Sequence, residues 1–150
     1  MSTLYGFEGV GASKSAIQAL TTGTEAAVTF DVENIDTSTE TGSGGSFHSN
    51  TTNPDRFYAV RDGFYEMFAS IRLDTINTAG RVYIGYKLNG GATVIMNEDV
   101  TTATSSSRTL LGYKLFKLVK GDYVQVYAFQ SATASVNIVT ASTEVVFKVL

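Results

Sequence analysis

From residue 56 onward the chain is a succession of short alternating runs closed by turn residues, and that pattern restricts it to an all-β fold. The runs are Arg56–Val60, Phe64–Asp74, Arg81–Leu88, Thr93–Asn97, Thr109–Val119, Tyr123–Gln130 and Glu144–Leu150, rich in the Val, Tyr and Phe that suit a pleated surface. Between them stand Arg61-Asp62-Gly63, Asn77-Thr78-Ala79-Gly80, Asn89-Gly90-Gly91 and Lys120-Gly121-Asp122. Asn89-Gly90 is the strongest of these signals, because both residues accept the positive φ of a tight hairpin. Many short strands with such punctuation make a sandwich or a barrel.

The first 55 residues are less regular. Ala26–Glu33 alternates, with Val28, Phe30 and Val32 opposed to Thr29, Asp31 and Glu33, and reads as a strand. Residues 36–55 are a Thr/Ser/Gly/Asn segment broken by Phe47, expected to be a surface loop anchored by that ring. Ser13–Leu20 has Ala16, Ile17 and Leu20 spaced for one helical face, but it is short and Thr21-Thr22 is a poor stop, so a helix is not expected. Residues 1–25 are read as an amino-terminal arm and first strand, and residues 26–150 as the domain proper.

Composition removes several function classes. The 150 residues contain no Cys and one His, His48, so a thiolate cluster, a cysteine nucleophile and a multi-histidine metal site are excluded. A net charge of -3 argues against a basic nucleic-acid surface. No apolar run is long enough to span a membrane. Met1–Tyr5 has no signal-peptide character, and the chain is expected to be a whole gene product.

Several motifs carry a bland reading. Gly9–Ser15 ends like a phosphate loop, but Ser13 occupies the position of the Gly before the Lys. Gly42-Ser43-Gly44-Gly45 is a loop. Asp31, Glu33 and Asp36 could cluster for calcium, but a solvated strand face is the expected role. Asn50-Thr51-Thr52 is a glycosylation sequon in form only. Lys120-Gly121-Asp122 reads as a turn whose Asp accepts from local amides. His48 is expected to be exposed and without a partner. No nucleophile, base and orienting group assemble, so no catalytic residue, metal site or cofactor is expected and the chain is read as non-enzymatic.

The segment Phe57-Tyr58-Ala59-Val60-Arg61-Asp62-Gly63-Phe64-Tyr65-Glu66-Met67 resembles the head domain of the complement C1q and tumour necrosis factor superfamily, whose pattern is Phe-x-Ala-Pro-x-x-Gly-x-Tyr-x-Phe. Phe57, Ala59, Gly63 and Tyr65 match, while Val60 replaces the Pro and Met67 the last Phe. Lys87-Leu88-Asn89-Gly90 and Phe116–Val124 resemble later segments in the same order, and the chain ends in strand-like Val145–Leu150. The usual Ser-Phe-Ser-Gly before that end is replaced by Ala141-Ser142-Thr143-Glu144. The resemblance covers roughly residues 26–150. It implies a ten-stranded antiparallel jelly roll that assembles as a homotrimer.

Alternation points to an oligomer independently. On Phe64–Asp74 one phase holds Tyr65, Met67, Ala69, Ile71 and Leu73, and the other Phe64, Glu66, Phe68 and Ser70. On Thr109–Val119, Lys114, Phe116 and Leu118 oppose Leu111, Tyr113 and Leu115. Strands apolar on both faces are buried on both faces, although scattered exposed hydrophobes are common on monomers. Carried over from the resembling family, the three-fold axis would be lined by Phe64, Phe68, Leu111, Tyr113 and Leu115, with Val146 and Leu150. Glu66 and Lys148 share that phase and are expected to pair across the protomer boundary. Tyr123, Tyr127 and Phe129 form a second stripe that can contact a partner or a sugar, or pack beneath the loop at 36–55; packing is the expected role.

The same jelly roll occurs in bacteriophage particles, as fibre knobs and as capsid decoration proteins. The chain shows no collagen-like repeat and no heptad stem. The resulting expectation is a non-enzymatic virion structural protein, a trimeric capsid decoration (cement or head-fibre) protein on the capsid exterior. Its partners would be its own copies and the major capsid protein, with Met1–Val10 as the attachment segment, and neither nucleic acid nor membrane. The alternative is a receptor- or carbohydrate-binding knob of a phage fibre.

Overall fold

Period-two alternation sends every second side chain of the longest strand into the interior, and the rest of the fold is arranged around it. The computed structural model describes residues 8–37, 45–102, 105–132 and 134–150. The strands are β1 (Gly9–Ser13), β2 (Gln18–Thr21), β3 (Ala26–Ala27), β4 (Val32–Asp36), β5 (Arg56–Tyr58), β6 (Gly63–Ile76), β7 (Gly80–Leu88), β8 (Val94–Thr101), β9 (Ser106–Leu118), β10 (Tyr123–Gln130), β11 (Ser135–Ile138) and β12 (Glu144–Val149). No helix among the described residues is long and apolar enough to cross a membrane.

The strands form two antiparallel sheets packed face to face. The first runs β9-β6-β12-β1-β4, and β11 and β2 continue the β12 and β1 positions along the far end of β6. The second runs β8-β7-β10, with β3 and β5 on the outer edge of β10. Where ten strands were expected, the described residues form twelve segments, several of them short pieces lying end to end along one neighbour.

Tyr65, Met67, Ala69, Ile71 and Leu73 of β6 are fully buried, as their phase requires. Val124, Val126 and Ala128 of β10 meet them from the second sheet. An aromatic knot closes one end of the interior. The Phe147 ring stacks on Tyr65 at 5.1 Å and lies 6.0 Å from Phe57 and 6.5 Å from Phe47. Phe47 is fully buried, so the loop is anchored as expected. Residues 38–44, including most of the Gly42–Gly45 run, lie outside the described residues.

Several sequence readings change. Ala26–Glu33 is not one strand: Ala26-Ala27 pairs with β10, and the chain then crosses to the first sheet, where Val32 begins β4. Val28 and Phe30 remain fully buried at the crossing, held by bonds from their amides to the Val126 and Pro54 carbonyls. Alternation persists around such a corner, so pattern alone cannot reveal it. Gly9 and Val10 belong to β1, between β12 and β4, and Val10 is fully buried. They are therefore part of the sheet and not of a free arm; residues 1–7 lie outside the described residues. Ser135–Ile138 is a further strand that the sequence reading missed.

His48 is a further correction. It is buried, not exposed. Its Nδ1 lies 3.2 Å from Glu33 Oε1 and its Nε2 3.0 Å from the Pro54 carbonyl, and its ring stacks on Phe57 at 4.8 Å. Glu33 lies 15 residues away on β4, and the polar composition around His48 gave no sign of that pairing. Glu33 also accepts from the Asn50 amide at 3.1 Å, so the ring and this carboxylate pin the loop to β4. Removing a partner from buried polar groups costs about 1–3 kcal/mol. His48→Ala is expected to lower urea stability by about that amount and to open residues 45–55 to limited proteolysis. Unchanged protease resistance would show that Phe47 alone holds the loop.

Candidate functional site

The outward face of the first sheet carries the residues that the sequence singled out. Cross-strand register aligns them in rows. Tyr113 of β9 stands beside Phe68 of β6, which stands beside Val146 of β12. The next row is Leu115, Glu66 and Lys148. Leu111 lies opposite Ser70, and the Leu150 amide donates to the Phe64 carbonyl at 2.9 Å, placing the last residue beside the start of β6. All nine candidate interface residues thus share one face. Phe64, Phe68, Leu111, Tyr113, Leu115 and Leu150 are 40–63% exposed, while Val146 is half-buried.

Two charges in this face, Glu66 and Lys148, pair within one chain. Lys148 Nζ lies 2.7 Å from Glu66 Oε1, and the Tyr113 hydroxyl donates to Glu66 Oε2 at 2.8 Å. Glu66 and Lys148, expected to pair across a protomer boundary, meet within the single chain as part of a triad with Tyr113. The register explains it, since Glu66 and Lys148 are direct cross-strand neighbours. The Lys148 and Tyr113 hydrogen bonds hold the Glu66 carboxyl below its ordinary value, and Glu66 in turn raises the Tyr113 phenol.

A depressed carboxylate stabilises the folded chain above its unfolded-state pKa, and that contribution disappears as pH falls through the folded-state value. The melting temperature is therefore expected to drop as the solution is acidified below about pH 4, the ordinary Glu range. Glu66→Gln should flatten that part of the profile. The effect should shrink in high salt, because the triad is partly solvated. An identical acid profile in the variant would show that the triad adds nothing to stability.

One residue extends the face beyond the sequence reading. Ile35 of β4 is 40% exposed and sits opposite Gly11, which continues the row of Tyr113, Phe68 and Val146 across all five strands. Reading residues 32–36 as a separate strand would have found it. At the other edge, Met96 of β8 closes the gap between the sheets by lying on Gly112 of β9. A Cβ there would stand 2.8 Å from its methyl carbon. The Asn97 side-chain Nδ2 also donates to the Leu111 carbonyl at 2.9 Å. Beside this seam β8 exposes Val94, Ile95 and Val100.

The aromatic stripe on the second sheet behaves differently. Phe129 stacks on Tyr83 at 4.7 Å, the Lys87 ammonium lies over Tyr127 at 4.1 Å, and Tyr123 is covered by Arg56 and packs against Tyr58. Tyr123, Tyr127 and Phe129 are thus half-buried, each against a neighbouring side chain. The neighbours that cover them come from β5 and β7, however, and not from the expected loop. From the loop, Asp55 reaches Gln125. Glu25 ties this sheet to the turn before β3: Tyr83 and Thr93 donate to it at 2.5 and 2.7 Å, and burial with that hydrogen bond pushes the Tyr83 phenol up to about 12.

The remaining candidate groups are dispersed. Asp31 accepts from the Ser15 amide at 2.7 Å, Glu33 serves His48, and Asp36 accepts from Ser46 at 2.9 Å, so these three carboxylates serve separate partners. Among the described residues no group of three His, Asp or Glu side chains is placed to hold a metal. Lys14, the lysine of the phosphate-loop lookalike, donates to the Thr29 carbonyl and hydroxyl at 2.9 and 2.8 Å. Asp122 accepts from the Val119 amide and from Asn89, which makes Lys120-Gly121-Asp122 a turn.

No family model matches the chain, and no curated protein sequence matches it. Solved structures do. The globular domain of zebrafish complement 1qA superposes with a TM-score of 0.60 at 12% identity, covering 95% of this chain and 97% of that one. Murine APRIL gives 0.62 at 12% identity, covering 96% and 99%. The Eiger TNF structure from S. frugiperda gives 0.59 at 9% identity, covering 96% and 92%. The chain is an all-β, two-sheet jelly roll of the C1q and tumour necrosis factor type.

Proposed function

We propose that the chain assembles as a homotrimer through the outward face of its first sheet and that the trimer is a non-enzymatic binding module. The observation that carries this reading is the apolar field on that face. An open antiparallel sheet normally turns a polar face to water. Here Phe64, Phe68, Leu111, Leu115 and Leu150 stand exposed around a charge pair that is already neutralised. Contiguous apolar surface of this kind marks an interaction site. The shared jelly-roll type favours a second and third copy as the occupants. Sedimentation velocity at micromolar concentration should give the mass of three chains; a strictly monomeric mass overturns the reading.

The specific role we assign to the trimer is decoration of a bacteriophage capsid, where it grips the shell by repeated weak contacts. A cysteine-free chain with only 17% charged residues suits a surface that works by packing. Quantitative mass spectrometry of purified particles should find it in fixed proportion to the major capsid protein. A few copies per particle would favour the fibre-knob reading instead. Deleting residues 2–7, which stops short of β1, tests the amino-terminal segment as the anchor: particle binding should fall, and unaltered binding removes that assignment.

A further inference from the structure

We propose that Glu66, Lys148 and Tyr113 fix the register in which copies of this chain meet, so that the polar triad selects the ring of three over other arrangements. The inference rests on the trimer reading above and concerns how that interface is specified.

The triad has mostly apolar neighbours, with Lys117 opposite Phe64 as the nearby exception on the same face. Along β6 it is flanked by Phe64 and Phe68, across the sheet by Leu115, and along β12 by Val146 and Leu150. An apolar face can slide, because dispersion and water exclusion have little directional preference. A buried polar group cannot, because each donor or acceptor left unpaired on desolvation is costly.

The hydrogen-bond inventory says what a second copy must supply. Glu66 spends one oxygen on Lys148 and the other on Tyr113. Tyr113 spends its proton on that bond and keeps an acceptor oxygen. An ammonium has three donors, and the triad uses one of them. Two Lys148 donors thus remain for whatever covers the face. A covering chain that sets a carbonyl or hydroxyl oxygen beside Lys148 keeps it satisfied; a shifted one strands it in a dry interface. A single polar residue in an apolar seam is known to select register and oligomer number in this way, at some cost in affinity.

The test compares the full-length wild-type chain with Glu66→Leu/Tyr113→Phe/Lys148→Leu, whose changed groups lie on the free chain's surface and leave its core intact. Native mass spectrometry and sedimentation velocity read the stoichiometry, and circular dichroism reads the fold. Wild type is expected as one trimeric species. The triple variant should associate at least as tightly but spread over more than one stoichiometry. If it precipitates, Glu66→Gln/Lys148→Met removes the charges, keeps an acceptor for Tyr113, and should show the same spread. Lys148→Arg retains donors and should restore the single species. A sharp trimer from the neutralised variants overturns the proposal. A monomeric wild type overturns the trimer reading instead, so the two failures are distinguishable.

Discussion

Phe68→Asp is expected to leave a folded chain whose self-association is weakened by at least ~100-fold. Phe68 sits midway in the row from Tyr113 to Val146 and is 40% exposed in the single chain. Its replacement therefore costs the isolated fold little. In the assembled state the new carboxylate would be desolvated among apolar rings, beside the Glu66 carboxylate, which is already paired with Lys148. Burying an unpaired charge costs several kcal/mol, and about 1.4 kcal/mol is tenfold in affinity. Sedimentation should find monomers with an unchanged far-ultraviolet spectrum and a melting temperature that no longer rises with protein concentration. Undiminished association would remove this face from the interface.

Phe147→Ala should have the largest effect on the fold itself. The ring is fully buried, stacks on Tyr65 and reaches Phe57 and Phe47. Phe47 is the side chain that anchors the long loop. Large-to-small core changes of this type cost about 3–5 kcal/mol, a large share of the roughly 5–15 kcal/mol that holds a domain together. At about 2–4 °C per kcal/mol for a chain of this size, melting should fall by about 10 °C. Val146, one residue away, points to the opposite face and is only half-buried. Val146→Ala should cost the monomer about 1 kcal/mol and act mainly on association. Equal melting losses from the two substitutions would contradict the assignment of faces.

These adjacent residues show what was legible in the sequence. Side chains alternate strictly along a strand, so one correctly placed strand sorts all its residues into two faces. The long strands β6, β9, β10 and β12 were readable on that ground, and with them all nine residues of the candidate face. The short pieces were not. β1 and β2 are small, glycine-containing or polar, and take their order from the neighbours they pair with. The corner at 28–31 keeps the alternation of a strand while changing sheets, because each side chain still faces the same core.

Composition and period two were enough to establish that the chain is all-β, which side chains of its long strands enter the core, and that one outward phase carries too many hydrophobes for water. Both follow from local geometry and from the count of residue types. Partner choice among polar groups depended on tertiary structure. His48 met Glu33 and Phe57, Glu66 met Lys148 in the same chain, and Tyr127 met Lys87. A hydrogen bond or ion pair needs a specific distance and direction, and only the folded register of distant strands sets those.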